Sequence, residues 1–226
     1  MSMPVARRFR LAGSLVLATG IVLTVAIAPA QADSVYRKDL YFRDGYERQV
    51  DSRTCTAAAI AMMANFIVGR DLDLNQRAIL RYEQERDALN DDVQRGSDPL
   101  GWSRGATAVT DFVGAGTTYA WVAHARQNAA LRSAAWNIEH FGKPIGLLTK
   151  HGKHAVVMTG FEATADPDSG RDWTLLAVYV SDPLGASHAR YAPANTSPLN
   201  RYWELDATAY YDRQWYNRWV MVVPRD

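Results

Sequence analysis

The spacing of apolar and polar positions changes near residue 144. Ahead of it the pattern is helical. "CTAAAIAMMANFIV", residues 55–68, is nearly all apolar, with Ile60, Met63 and Ile67 at helical spacing. It predicts a helix that stops at Gly69. Ser52 and Thr54 are placed to cap its start, so Cys55 falls in the first turn. "NQRAILRYEQERDAL" predicts a second, more polar helix beginning near Asn75. "SDPLGWSRGATAVTDFVGAG" predicts a loop feeding a short helix over 103–113, and "TTYAWVA" a strand. "NAALRSAAWNIEHFGK" predicts a helix ending at Gly142, just before Pro144. The stretch "SVYRKDLYFRDGYERQVDSRT", 34–54, reads as extended chain and loop.

After Pro144 the period becomes that of strands. "IGLLT", "HAVVMTGFEA", "WTLLAVYVSD" and "RWVMVVP" are four short runs rich in Val, Leu and aromatics. "ADPDSGRD" reads as a hairpin loop between the second and third, and "LDATAYYDRQW" as a short helix before the last. Helices come first and antiparallel strands second, with a helix packing on the sheet. That order defines an α+β fold.

Composition narrows the class. The chain has 226 residues. Arg7, Arg8 and Arg10 precede an apolar run, Leu11 to Ile27, and then Ala30-Gln31-Ala32. This is the pattern of a secretory signal peptide, residues 1–32, with cleavage expected after Ala32. The rival reading is an uncleaved N-terminal membrane anchor. Residues 33–226 then form a single domain. Removing those three arginines from the 25 basic residues leaves 22 against 24 acidic ones. No basic field argues for nucleic acid or an anionic lipid surface. No second apolar stretch is long enough to span a bilayer.

There is one cysteine, so no disulfide can form within the chain. A lone thiol in an exported protein is an intermolecular partner, a buried hydrophobe or a reactive group. Cys55 opens a helix, where free amides and the helix dipole favour a thiolate. Packing as a small buried residue is the rival. Two segments bear on the choice. "HGKHAVVMTGFEA" places a histidine at the head of an apolar strand, and "AVYVSDPLG" ends the next strand on Asp182. An aspartate there can fix an imidazole tautomer by hydrogen bonding. Gln49, six positions before Cys55, can supply a side-chain N–H to a developing oxyanion beside the Cys55 backbone N–H.

Gln-x5-Cys opening a helix, His-Ala-Val-Val-x-x-Gly-Phe on a strand, and a Val-rich strand ending in Asp-Pro together resemble the papain-like cysteine peptidases. Within them they are most similar to the bacteriocin-processing branch, which cuts double-glycine leaders, and to its secreted bacterial relatives. The resemblance spans roughly residues 45 to 223. It implies a papain-like fold, a helical half meeting a sheet half at a cleft. It also implies Cys55 as nucleophile, His154 as general base, Asp182 as its orienting partner and Gln49 in the oxyanion site. Thr56 stands where such peptidases carry Gly, and a β-branched residue there either crowds the cleft or continues the helix.

His151 competes with His154 as the base. The resemblance and the apolar run from Ala155 favour His154. A zinc site on the "HGKH" pair lacks the accompanying Cys or Glu arrangement, so no metal or organic cofactor is expected. His124, His140 and His188 have no partner pattern. Asp166, Asp168 and Asp172 miss the calcium-loop spacing and read as a solvated hairpin. Trp102 reads as core more than as groove lining. The Asn195-Thr196-Ser197 sequon is assigned no role. The expectation is therefore an exported cysteine hydrolase acting on a peptide or on peptidoglycan-stem amides. The alternative is an inactive relative that binds such material in the same cleft.

Overall fold

The structure, a computed structural model, describes residues 35–88, 96–150, 152–192 and 214–226. The expected signal segment, His151, the sequon and residues 205–213 of the expected late helix lie outside the described residues.

Among the described residues, four α-helices and seven strands follow the order β1 (Tyr36–Asp39), α1 (Cys55–Val68), α2 (Gln76–Gln84), α3 (Pro99–Phe112), β2 (Tyr119–His124), α4 (Gln127–Phe141), β3 (Ile145–Thr149), β4 (His154–Ala163), β5 (Leu175–Ser181), β6 (Ala189–Tyr191) and β7 (Trp219–Pro224). This is the α+β arrangement expected. The ends of the helices follow local chemistry. Gly69 and Gly142 stop α1 and α4 at φ of 78° and 64°, a conformation glycine adopts without a Cβ clash. Asn75 caps α2 by accepting from the Ala78 amide. Asp98 caps α3 through the Gly101 amide, with Pro99 in the first turn. That cap starts α3 four residues earlier than the expected 103. Helix α2 is also shorter than expected.

The strands form one antiparallel sheet in the order β2-β7-β3-β4-β5-β6, with β1 pairing the far half of β4. Alternation along the central strands divides the core into two. Leu148, Ala155, Val157, Val220 and Val222 face one way, into a cluster with Ile60, Met62, Met63, Ile79 and Trp102 from α1, α2 and α3. Leu147, Val156, Met158, Met221 and Val223 face the other way, against Leu131, Ala134 and Ile138 of α4. Trp102 is fully buried, as core. The described residues all belong to the compact unit Asp33–Asp226.

Candidate active site

Cys55 is the first residue of α1, held under the sheet at 8% exposure. Backbone hydrogen bonds from Ala155, Thr56 and its own amide reach the sulfur and favour the thiolate. The Ala155 bond puts the thiol beside the head of β4, next to the His154 backbone. Burial nevertheless outweighs these donors, and the Cys55 pKa is raised, with the Glu83 charge adding to the rise. The depressed thiol pKa expected at a helix start is therefore not found. The helix amides are present, but the site is too dry for them to prevail.

The expected capping at α1 also differs. Thr54 occupies the N-cap position, but its hydroxyl makes no cap bond. It donates instead to the Asp51 carbonyl at 3.1 Å and accepts from the Asp51 amide at 3.2 Å. The Asp51 carboxylate accepts from the Arg53 amide at 3.0 Å, closing a tight turn before the helix.

His154 is buried at the start of β4, and its Nε2 lies 2.7 Å from Asp182 Oδ1. The same oxygen accepts from the Leu184 amide at 2.8 Å. Partial burial pushes the Asp182 pKa up, but the bonds from His154 and Leu184 prevail and it lies below its ordinary value. An ionised Asp182 selects the tautomer with the proton on Nε2, which leaves Nδ1 as the basic nitrogen.

The turn after β5 is tied to the segment that carries Gln49. The Tyr46 hydroxyl donates to the Asp182 carbonyl at 2.9 Å, and the Gln49 amide donates to the Pro183 carbonyl at 3.1 Å. Gln76, buried at the start of α2, grips the backbone on both sides of Gln49. It donates to the Arg48 carbonyl at 2.7 Å and accepts from the Val50 amide at 3.1 Å. The Gln49 side chain gives one Nε2–H to the Asp51 carbonyl at 2.6 Å, while its buried Oε1 has no partner. Its second Nε2–H is left for another acceptor.

Four expected residues thus come from elements that meet: α1 for Cys55, β4 for His154, the β5 exit for Asp182, and the Gln49 segment bonded to that exit. Thr56 does not crowd the cleft. Its side chain turns into the helical layer and donates to Glu83 Oε2 at 3.0 Å. Sequence reading missed Gln76 and Glu83, since nothing in a polar helical pattern distinguishes an inward Gln or Glu from a solvated one. Of the other histidines, His140 and His188 are better partnered than expected, whereas His124 Nε2 is buried without a hydrogen-bond partner among the described residues. His140 Nδ1 lies 3.0 Å from Asp168 Oδ2, and His188 stacks between Tyr41 and Tyr179 within 3.0 Å of Asp39.

No family model matches the chain, and no curated protein matches it. Among solved structures the chain is similar to the crystal structure of UfSP from C. elegans, at 11% sequence identity and a TM-score of 0.48. The match covers 80% of this chain and 32% of that one, so this chain spans about a third of that protein's length. None of these comparisons points to the bacteriocin-processing peptidases.

Proposed function

We propose that the chain is an exported papain-like cysteine hydrolase that cleaves a peptide or amide bond through an acyl-enzyme. The observation that carries the reading is the 2.7 Å His154–Asp182 pair at the head of the strand whose Ala155 amide bonds the Cys55 thiol. Because burial holds the thiol protonated at rest, His154 acts as a general base during attack and not as half of a preformed ion pair. Its Nδ1 takes the Cys55 proton as sulfur adds to the carbonyl. The proton then passes to the leaving amine as the C–N bond breaks, and His154 activates the water that hydrolyses the thioester. Gln49 Nε2–H and the Cys55 amide serve the developing oxyanion. No metal or organic cofactor enters this scheme. Export follows from the signal-like segment, and the substrate is a protein or a peptidoglycan stem peptide.

The test uses the purified mature chain on casein and on isolated cell wall, with an electrophilic peptide warhead read by intact mass. The expected result is turnover of one substrate, a single adduct on Cys55, and loss of both in Cys55→Ala without loss of fold. In His154→Ala, turnover falls about a hundred- to ten-thousand-fold. Turnover that survives Cys55→Ala sinks the reading. The 8% exposure of Cys55 favours a second reading, an inactive relative that binds the same material. It predicts saturable binding with no adduct.

A further inference from the structure

One buried acid has no part in this chemistry. Glu83, on α2, is completely buried. Its Oε2 accepts from the Thr56 hydroxyl at 3.0 Å, and its Oε1 is buried without a partner. Thr56 is the residue after Cys55. Helix α3 makes room for the side chain. A Cβ at Gly105 would come within 2.7 Å of Glu83 Cγ, and one at Gly101 within 2.6 Å of the Glu83 carbonyl oxygen. Two glycines one turn apart weaken a helix relative to alanine; here Gly105 leaves the space the Glu83 side chain occupies, and Gly101 lets the Glu83 carbonyl and the Asp87 carboxylate approach α3. Two observations thus converge on a built position for this carboxyl, the cradle and the bond to the neighbour of the thiol.

The charged groups that act on it are Asp87, which follows α2, and Asp98, which caps α3, and Glu83 in turn acts on Cys55 at the start of α1. All are acidic. Burial raises the Glu83 pKa well above the usual carboxylate range. The Thr56 bond opposes that rise, and Asp87 and Asp98 add to it. Two buried acids, Glu83 and Cys55, therefore share one dry region, and a negative charge on either resists a negative charge on the other.

We propose that Glu83 is a positioning residue for the nucleophile: fixed on Thr56, its charge state decides how readily the Cys55 thiol gives up its proton. The inference rests on reading Cys55 as the nucleophile. With Glu83 neutral, transfer of the Cys55 proton to His154 places one negative charge in the region. With Glu83 ionised, the same transfer creates a second charge and is opposed.

The test is the pH dependence of Cys55 alkylation by iodoacetamide, a neutral reagent, in the folded wild type, Glu83→Gln and Glu83→Asp. Gln keeps the shape and removes the charge, whereas Asp keeps the charge and changes the shape. Glu83→Gln should lower the midpoint by about one pH unit, while Glu83→Asp keeps it high. A charge on Glu83 can act on the thiol only if Glu83 ionises first, so in the wild type the Glu83 carboxyl, followed by its labelled carbon, should titrate below the Cys55 midpoint; a carboxyl still protonated through that midpoint overturns the proposal, and this readout stands even if Glu83→Gln fails to fold. Superimposable curves for wild type and Glu83→Gln overturn the proposal. So does a shift seen with Asp and not with Gln. The hydrolase reading fails separately: a one-unit shift without turnover of any substrate sinks that reading and leaves the linkage, whereas turnover without the shift sinks only the linkage.

Discussion

At the scale of single residues, the candidate site depends on buried polar groups. Gln76 is the least obvious of them. Both ends of its amide are spent on the backbone flanking Gln49, so its loss frees that segment without touching the thiol. Gln76→Ala is expected to cost about 1–3 kcal/mol of stability for two lost buried bonds. If Gln49 serves the oxyanion as proposed, the variant should also lower kcat more than it raises KM, because Gln49 is displaced. Steady-state kinetics beside a urea melt separate the two effects. Cys55, His154 and Asp182 were legible in the sequence because each sits at a punctuation point: a helix start, a strand head, and a strand exit before Pro183. Gln76 and Glu83 were not, because their inward orientation is decided by what α2 packs against. The fate of Thr56 was illegible for the same reason, since its hydroxyl has a partner only once α2 lies across α1.

Among elements, the helices and long strands followed their apolar periods, and the exceptions have local causes. The start of α3 is set by Asp98-Pro99, a cap followed by a first-turn proline, four residues ahead of the expected 103. Gly101 and Gly105 have packing duties. Strands β1 and β6 are four and three residues long, with polar, partly exposed side chains, so no period of two can be recognised in them. Their existence depends on the edges offered by β4 and β5. Gly146 on β3 tests how tightly the helical layer sits on the sheet. A Cβ there would meet the Trp102 ring at 2.4 Å, and that ring is itself enclosed. Gly146→Ala is expected to destabilise by about 1–3 kcal/mol, the usual cost of overpacking, as read from a chemical melt. Near-UV dichroism of the tryptophans should report the displaced ring.

For the whole molecule, the buried acids between α2 and α3 give the dependence of stability on pH an unusual sign. Burial, followed by the Asp98 charge, pushes Asp87 up to about 7, and Glu83 is raised as well. The folded state therefore holds protons that the unfolded chain releases near pH 4. Stability contributed by these groups is present below that value and is lost as pH rises through the folded pKa. Glu162 acts in the opposite sense. Arg190 draws its pKa down to about 2, so its contribution disappears only in strong acid, and the exposed arginine keeps it small. The urea midpoint is expected to be higher near about pH 5 than near about pH 8, with the difference reduced in Glu83→Gln. The change from a mainly helical stretch to a mainly β stretch near Pro144 was readable from the chain, whereas β1, ahead of every helix, was not. The two-sided burial of the sheet was only half readable, because the central strands are apolar on both faces and periodicity cannot say what covers each.

The bonds that close the site are also among the longest in the chain. Tyr46 reaches Asp182 across 136 residues, and Gln49 meets Pro183 over a similar span. Contacts of that separation form after local ones, because the intervening loop must first be closed. During synthesis α1 is complete long before the strand exit that carries Asp182 leaves the ribosome. Throughout that interval the thiol lacks the sheet that buries it. Burial of the Cys55 thiol is therefore a late event in the life of each molecule, timed by the arrival of the C-terminal strands.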